Sequence, residues 1–216
     1  MSGEPMVIST IKRQNFIVKN AHPTKVALVN TVVELLENYR ADEITSEQVL
    51  ELSSISKGSL YHHFADFSAL IDTARVIRYA RWVDRSIELL TTVATTTKTR
   101  EEFFAGLSEV TKLTQSPASR SSRFERARIL GLAEGNPRLM HDLGEEQQRL
   151  TDSITDLVRE AQERGYVRLD LDAASIAVLI QAYTLGKIVD DVTADHVDPE
   201  KWIQLISEVV EKGFGS

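Results

Sequence analysis

From Thr24 onward the apolar residues of this chain recur at three- and four-residue spacing, and nowhere is strand-like alternation sustained. That period admits helices and little else. The starts and stops are marked as well. Thr24 is placed to cap a helix over 24–38, with Val26, Val29, Val33 and Leu36 on one stripe. Thr45 opens a second, short helix, Ser56 caps a third over 57–64, and Asp66 caps a fourth running to about residue 90. The threonine-rich stretch 91–99 weakens the helical signal, before a capping box of Thr99 and Glu102 starts the next helix. Residues 115–122, with Pro117, read as a loop, and 123–134 as a helix stopped at Gly135. Asn136 and Pro137 suit the N-cap and first turn of a long helix ending near Gly165. Asp172 starts another to about residue 192, and Asp198 with Pro199 opens the last, which Gly213 closes. Residues 166–171 are the one short strand candidate. The expected fold is all-α with about nine helices.

Composition narrows what such a bundle does. Apolar residues make up 42% and charged residues 26%, which excludes wholesale disorder. With no cysteine, disulfide frameworks, thiolate metal sites and cysteine nucleophiles are excluded together. No apolar run approaches the ~20 residues of a membrane span, and the N-terminal residues lack a signal-peptide core. The expectation is a cytoplasmic protein without a membrane partner. A net charge of −7 means that nucleic acid is not held by the overall field, so such a role needs a local patch.

The segment ITSEQVLELSSISKGSLYHHF, residues 44–64, supplies a candidate for that patch. Two short helices joined by a turn at residues 53–56 make a helix-turn-helix. Winding the second at ~100° per residue puts Leu60 and Phe64 together on an inward face. Gly58, Ser59, Tyr61 and His62 then point outward and Lys57 flanks them. Gly58 allows close backbone approach, Ser59 and Tyr61 reach phosphates, and His62 faces a base edge. A metal role for His62 and His63 is disfavoured, because adjacent helical residues diverge by ~100°.

Those residues resemble the TetR family of bacterial transcriptional regulators, whose motif reads Ala-Gly-Val-Ser-Lys-Gly-Thr-Leu-Tyr-Tyr/His-His-Phe. Ser56-Lys57-Gly58-Ser59-Leu60-Tyr61-His62-His63-Phe64 matches it nearly throughout, and Thr45 matches the phosphate-contacting start of the first motif helix. The resemblance implies an N-terminal three-helix DNA-binding domain (22–66) after an arm (1–21), and a larger ligand-binding and dimerisation domain (67–216). The DNA-binding residues it implies are Thr45, Ser56, Lys57, Gly58, Ser59, Tyr61 and His62. Three departures stand out. Ser53 and Ser54 replace Ala-Gly in the turn, so a non-glycine residue takes the tight backbone. Leu50 replaces a small residue, and Phe67 stands where a phosphate-contacting lysine is common.

Charge is unevenly spread. Residues 1–65 hold six bases and seven acids, net −1, and residues 66–216 hold nineteen and twenty-five, net −6. Lys12, Arg13, Lys19 and Lys25 oppose only Glu4, so the arm is either a backbone or minor-groove contact or a plain tail. Arg75, Arg78, Arg81 and Arg85 form a stripe that suits a solvated face paired with Asp72, Asp84 and Glu88.

The remaining helices carry candidates for an effector site. Trp82, Phe103, Phe104, Leu107 and Tyr183 suit either an apolar pocket or plain core. Arg120, Arg123, Arg126 and Arg128 crowd together with only Glu125 among them; they suit a solvated cluster, or one in which Arg123 or Arg126 turns inward to an anionic ligand. His141 and Gln181 are open in the same way. The last two helices are apolar on two sides. One carries Ile176, Val178, Leu179, Ile180, Tyr183, Leu185, Ile188 and Val189, the other Trp202, Ile203, Leu205, Ile206, Val209 and Val210, a pattern that suits a symmetric dimer interface or deep burial within one chain. The family implies a four-helix homodimer interface there, with Ile180, Leu185, Ile188, Trp202, Ile206 and Val209 in it.

The expected function is a ligand-responsive DNA-binding regulator, a repressor that binds a pseudo-palindromic double-stranded operator as a homodimer and is released by a small-molecule effector. No enzyme activity, metal or other cofactor is expected, since no nucleophile–base pair, metal spacing or phosphate loop is present. The alternative is a helical ligand-binding or carrier protein with a degenerate, non-DNA-binding motif.

Overall fold

The computed structural model describes residues 22–216. Ten α-helical segments follow one another: α1 (Pro23–Asn38), α2 (Ser46–Ser53), α3 (Lys57–His63), α4 (Phe67–Thr96), α5 (Arg100–Gln115), α6 (Arg120–Ala133), α7 (Pro137–Glu163), α8 (Ala173–Gly186), α9 (Ile188–Asp191) and α10 (Pro199–Phe214). They count as nine where α8 and α9 are taken as one helix interrupted at Lys187. Among the described residues the only extended pairing is an isolated bridge between Val167 and Gly215.

Most boundaries fall where their caps predict. Thr45 Oγ1 accepts the Gln48 N–H, Ser56 Oγ that of Ser59, and Asp66 Oδ1 that of Ala69. Asp172 and Asp198 cap α8 and α10 in the same way. Five boundaries differ from expectation. Pro23 takes the first position of α1, so the cap is His22 rather than Thr24, with Nδ1 accepting the Thr24 N–H at 3.3 Å. Helix α4 continues through the threonine run to Thr96, and there the hydroxyls of Thr92, Thr95, Thr96 and Thr97 donate to carbonyls four residues earlier, an arrangement compatible with the helix. The loop at 115–122 is a 3₁₀ turn, Pro117–Ser119, that leads into α6 at Arg120. Helix α8 stops at Gly186, short of residue 192. Gly213 stays helical, and α10 ends at Gly215, which packs too closely for a side chain: a Cβ there would lie 2.4 Å from the Glu211 carbonyl.

The chain divides into two compact units. The first runs through Asp84 and takes in Asn136–Leu143; the second comprises Arg85–Gly135 and Gly144–Ser216. In the first, Leu28, Val32 and Val33 of α1 close over Val49, Leu60 and Phe64, with Leu70 and Ala74 of α4 completing the core. Asn136 binds α7 to α4 within this unit: its amide donates to Asp72 Oδ2 at 2.8 Å while its oxygen caps Leu139. In the second unit α5 packs along α10. Phe103 and Phe104 are buried, Ser108 meets Ser207 at 2.8 Å, and the Trp202 indole donates to Gln115 at 3.1 Å.

One stretch departs from the membrane expectation. Ala173–Asp191, 19 residues, is long and apolar enough to cross a bilayer by length and composition. Only 22% of it is buried. It is interrupted at Gly186–Lys187 and ends on the buried Arg123–Asp191 ion pair.

Candidate nucleic-acid interface

Helices α2 and α3 form the helix-turn-helix. Between them Ser54 takes φ 56° and ψ 30°, the one positive φ at a non-glycine residue among those described. The left-handed turn that glycine usually supplies is thus made by serine, at a steric cost. Ile55 and Leu50 tuck partly into the core, and Phe67, where a phosphate-contacting lysine was the alternative, packs against the same cluster.

Helix α3 is held by one side and presents the other. Leu60 and Phe64 are fully inward, as the winding predicts. Lys57, Gly58 and His62 are exposed, Tyr61 is 47% exposed and Ser59 is half-buried. A Cβ built on Gly58 meets nothing within 4 Å, so no contact within the chain requires a glycine there. Two hydroxyls named for phosphate are already engaged in caps, Thr45 with Gln48 and Ser56 with Ser59. Lys57 has an acidic neighbour in Glu47, whose carboxyl sits below its ordinary value through hydrogen bonds from its own backbone and Ser46, helped by the Lys57 charge. Lys25 of α1 lies over the Phe64 ring at 5.4 Å. The arm residues Lys12, Arg13 and Lys19 lie outside the described residues. In the arginine stripe, Arg75 pairs with Asp72 at 3.0 Å and Arg78 with Glu37 at 3.7 Å.

The effector candidates fall in both units. Trp82, half-buried beside Tyr79, and His141, exposed, belong to the first. In the second, Phe103 and Phe104 are core, their rings 5.4 Å apart edge to face, and Leu107 is half-buried. The Tyr183 hydroxyl meets Thr111 at 3.4 Å, and burial pushes it above the usual phenol value. Arg123 does turn inward, but onto an internal anion: Asp191 takes its Nε and Nη2, and the carbonyls of Thr114 and Ser116 take Nη1. Arg126 is buried too. Gln181 bridges to Gln147 and Thr151 of α7.

The interface candidates also separate. Ile206 is buried within its own unit, Ile180, Leu185, Ile188 and Trp202 are half-buried, and Val209 is 54% exposed. As open as Val209 are Val178, Leu179, Val189 and Leu205 of α8 to α10, read in the sequence as apolar without being singled out. Periodicity shows that a helix has two apolar sides and leaves open which one its own chain covers.

No family model matches the chain. It is 25% identical over 175 residues to the HTH-type transcriptional regulator UidR of Escherichia coli K12, covering 79% of this chain and 82% of UidR. Among solved structures, a TetR-family transcriptional regulator from Mesorhizobium loti superposes with a TM-score of 0.66 at 13% identity, over 89% of this chain and 97% of that one. Salmonella enterica GusR superposes with a TM-score of 0.61 at 21% identity, over 90% of this chain and 99% of that one. The all-α architecture, with a helix-turn-helix in α2 and α3, is thus similar over these lengths to that of TetR-family structures, and the sequence is similar to that of a helix-turn-helix transcriptional regulator.

Proposed function

We propose that the protein is a ligand-responsive repressor that binds a pseudo-palindromic operator as a homodimer and leaves it when a small molecule binds. The observation that carries this reading is the division of α3 into a buried Leu60–Phe64 side and an open side of Lys57, Gly58, Tyr61 and His62. In it, residues 22–66 bind DNA after an N-terminal arm, 1–21, and residues 67–216 hold the effector and the dimer contact. Each α3 enters a major groove, where His62 reads a base edge while Lys57 and Tyr61 hold phosphates. The exposed apolar faces of α8 and α10 meet their symmetry copies in a four-helix contact. Helix α4 runs from the motif into the larger domain, so an effector that favours one spacing of the two motifs changes operator affinity. Such a regulator works in the cytoplasm, where its DNA lies.

The experiment is selection of bound duplexes from a random-sequence library, followed by a metabolite screen for release. A palindromic consensus whose complex dissociates with one compound class is the expected result. No enrichment, together with tight binding of a small molecule, favours the carrier reading, for which the serine at the strained turn and Phe67 are the motivating departures.

A further inference from the structure

Beside the reading helix, three histidines from two parts of the chain converge. His22 caps α1, and its ring lies 5.0 Å from that of His63 at a 31° tilt. His63 in turn meets His62 edge-on at 5.0 Å. His22 and His62 are exposed and His63 is half-buried.

Lys25 comes from the first turn of α1, which has no acidic residue, and α3 itself contains none. The nearest acid along the chain, Asp66, caps α4 and is not among the charges that act on His63. Burial, then the charges of His22, His62 and Lys25, hold the His63 imidazole below its ordinary value. Among the described residues no group of three His, Asp or Glu side chains is set to hold a metal ion. Three crowded imidazoles and a lysine, with no carboxylate on α3 or in the first turn of α1, suit an anion, and the anion of the molecule that α3 addresses is phosphate.

We propose that His22 and His63, with the His62 ring packed edge-on against His63, form a titratable contact for a DNA backbone phosphate, so that operator binding draws a proton onto the pair. This rests on the DNA-binding reading above. A phosphate beside the cluster favours the charged imidazole, so affinity rises as pH falls through the histidine range.

The test uses a duplex selected by the full-length wild-type protein from a random-sequence library near pH 8. Its affinity is measured at constant ionic strength from about pH 8 to about pH 6, with calorimetry in buffers of different ionisation enthalpy. Wild type gains about five-fold in affinity, with net proton uptake. His22→Asn, which keeps a capping acceptor, and His63→Gln lose most of the gain between about pH 8 and about pH 6 and most of the proton uptake, whatever their affinity near pH 8. A pH dependence shared by wild type and both variants overturns the proposal and leaves the DNA-binding reading intact. Equal loss at all pH values marks a purely structural role and overturns it too. A wild-type protein that selects no duplex overturns both.

Discussion

Arg123 and Asp191 face each other as a buried fork. Nε and Nη2 of the guanidinium lie 2.5 and 2.8 Å from the two carboxylate oxygens, and the side chains are only 1% and 6% exposed. The pair ties α6 to α9, and Arg120 reinforces it by donating to the Asp191 carbonyl. Truncating one member strands the other charge away from water. Arg123→Met is therefore expected to destabilise the fold by about 3–5 kcal/mol, with much of the loss restored in Arg123→Met/Asp191→Leu. Denaturant unfolding of the two single variants and the double variant checks this.

The same pair sets a pH signature. The Arg123 hydrogen bonds, opposed by burial, hold the Asp191 carboxyl below its usual value. A depressed folded-state value contributes stability that is complete above the unfolded value of ~3.9 and disappears as pH falls through the folded one. Stability of Asp191→Asn should then fall less steeply than that of wild type below about pH 4. Unfolding curves at stepwise lower pH decide it: parallel profiles would remove Asp191 as a source of acid sensitivity.

Ser54 offers a gain rather than a loss. A left-handed non-glycine residue costs about 1–2 kcal/mol, and glycine's greater unfolded-state freedom returns about 0.4–1 of that. Ser54→Gly is expected to stabilise by up to about 1 kcal/mol, or ~2–4 °C in Tm for a chain of this size. Operator affinity should be unchanged, because the backbone already has the required shape. A lower Tm would show that the Ser54 side chain contributes something the geometry does not reveal.

How far these features were legible depends on the range of the interaction behind them. Thr45, Ser56, Asp66, Asp172 and Asp198 announce helix starts because a cap is satisfied within three residues. The inward setting of Leu60 and Phe64 follows from helical winding alone. Thr92 to Thr97 misled because their hydroxyls bond locally to the helix instead of competing with it. Arg123 could be named as an inward arginine but not matched to Asp191, 68 residues away. His22 joined His62 and His63 only when α1 and α3 packed together.

On DNA, Lys57 and His62 should separate by readout. In the proposed reading Lys57 holds a phosphate, so Lys57→Ala should weaken operator and random duplexes alike and lower the salt slope by about one. His62→Ala should cost ~1–3 kcal/mol on the operator alone. Anisotropy titrations over a salt series distinguish them, and equal loss on both duplexes for His62→Ala would remove it as a base reader.

Helix α10 permits the sharpest contrast, between neighbours that face opposite ways. Ile206 is 8% exposed and belongs to the core shared with α5, whereas Leu205 and Val209 are 53% and 54% exposed and one turn apart. Ile206→Ala should cost about 2–5 kcal/mol as a core truncation, whether or not the chain dimerises. Leu205→Glu and Val209→Glu should leave the unfolding of a dilute monomer nearly unchanged, since each places charge on a surface already open to water. In a dimer built on this face, the same substitutions bury unpaired carboxylates across the symmetry axis, where each is met by its own copy. Sedimentation velocity should therefore show wild type and Ile206→Ala as dimers at concentrations where the glutamate variants are monomers. Dimers of undiminished strength in both glutamate variants would place the interface on another face of the molecule.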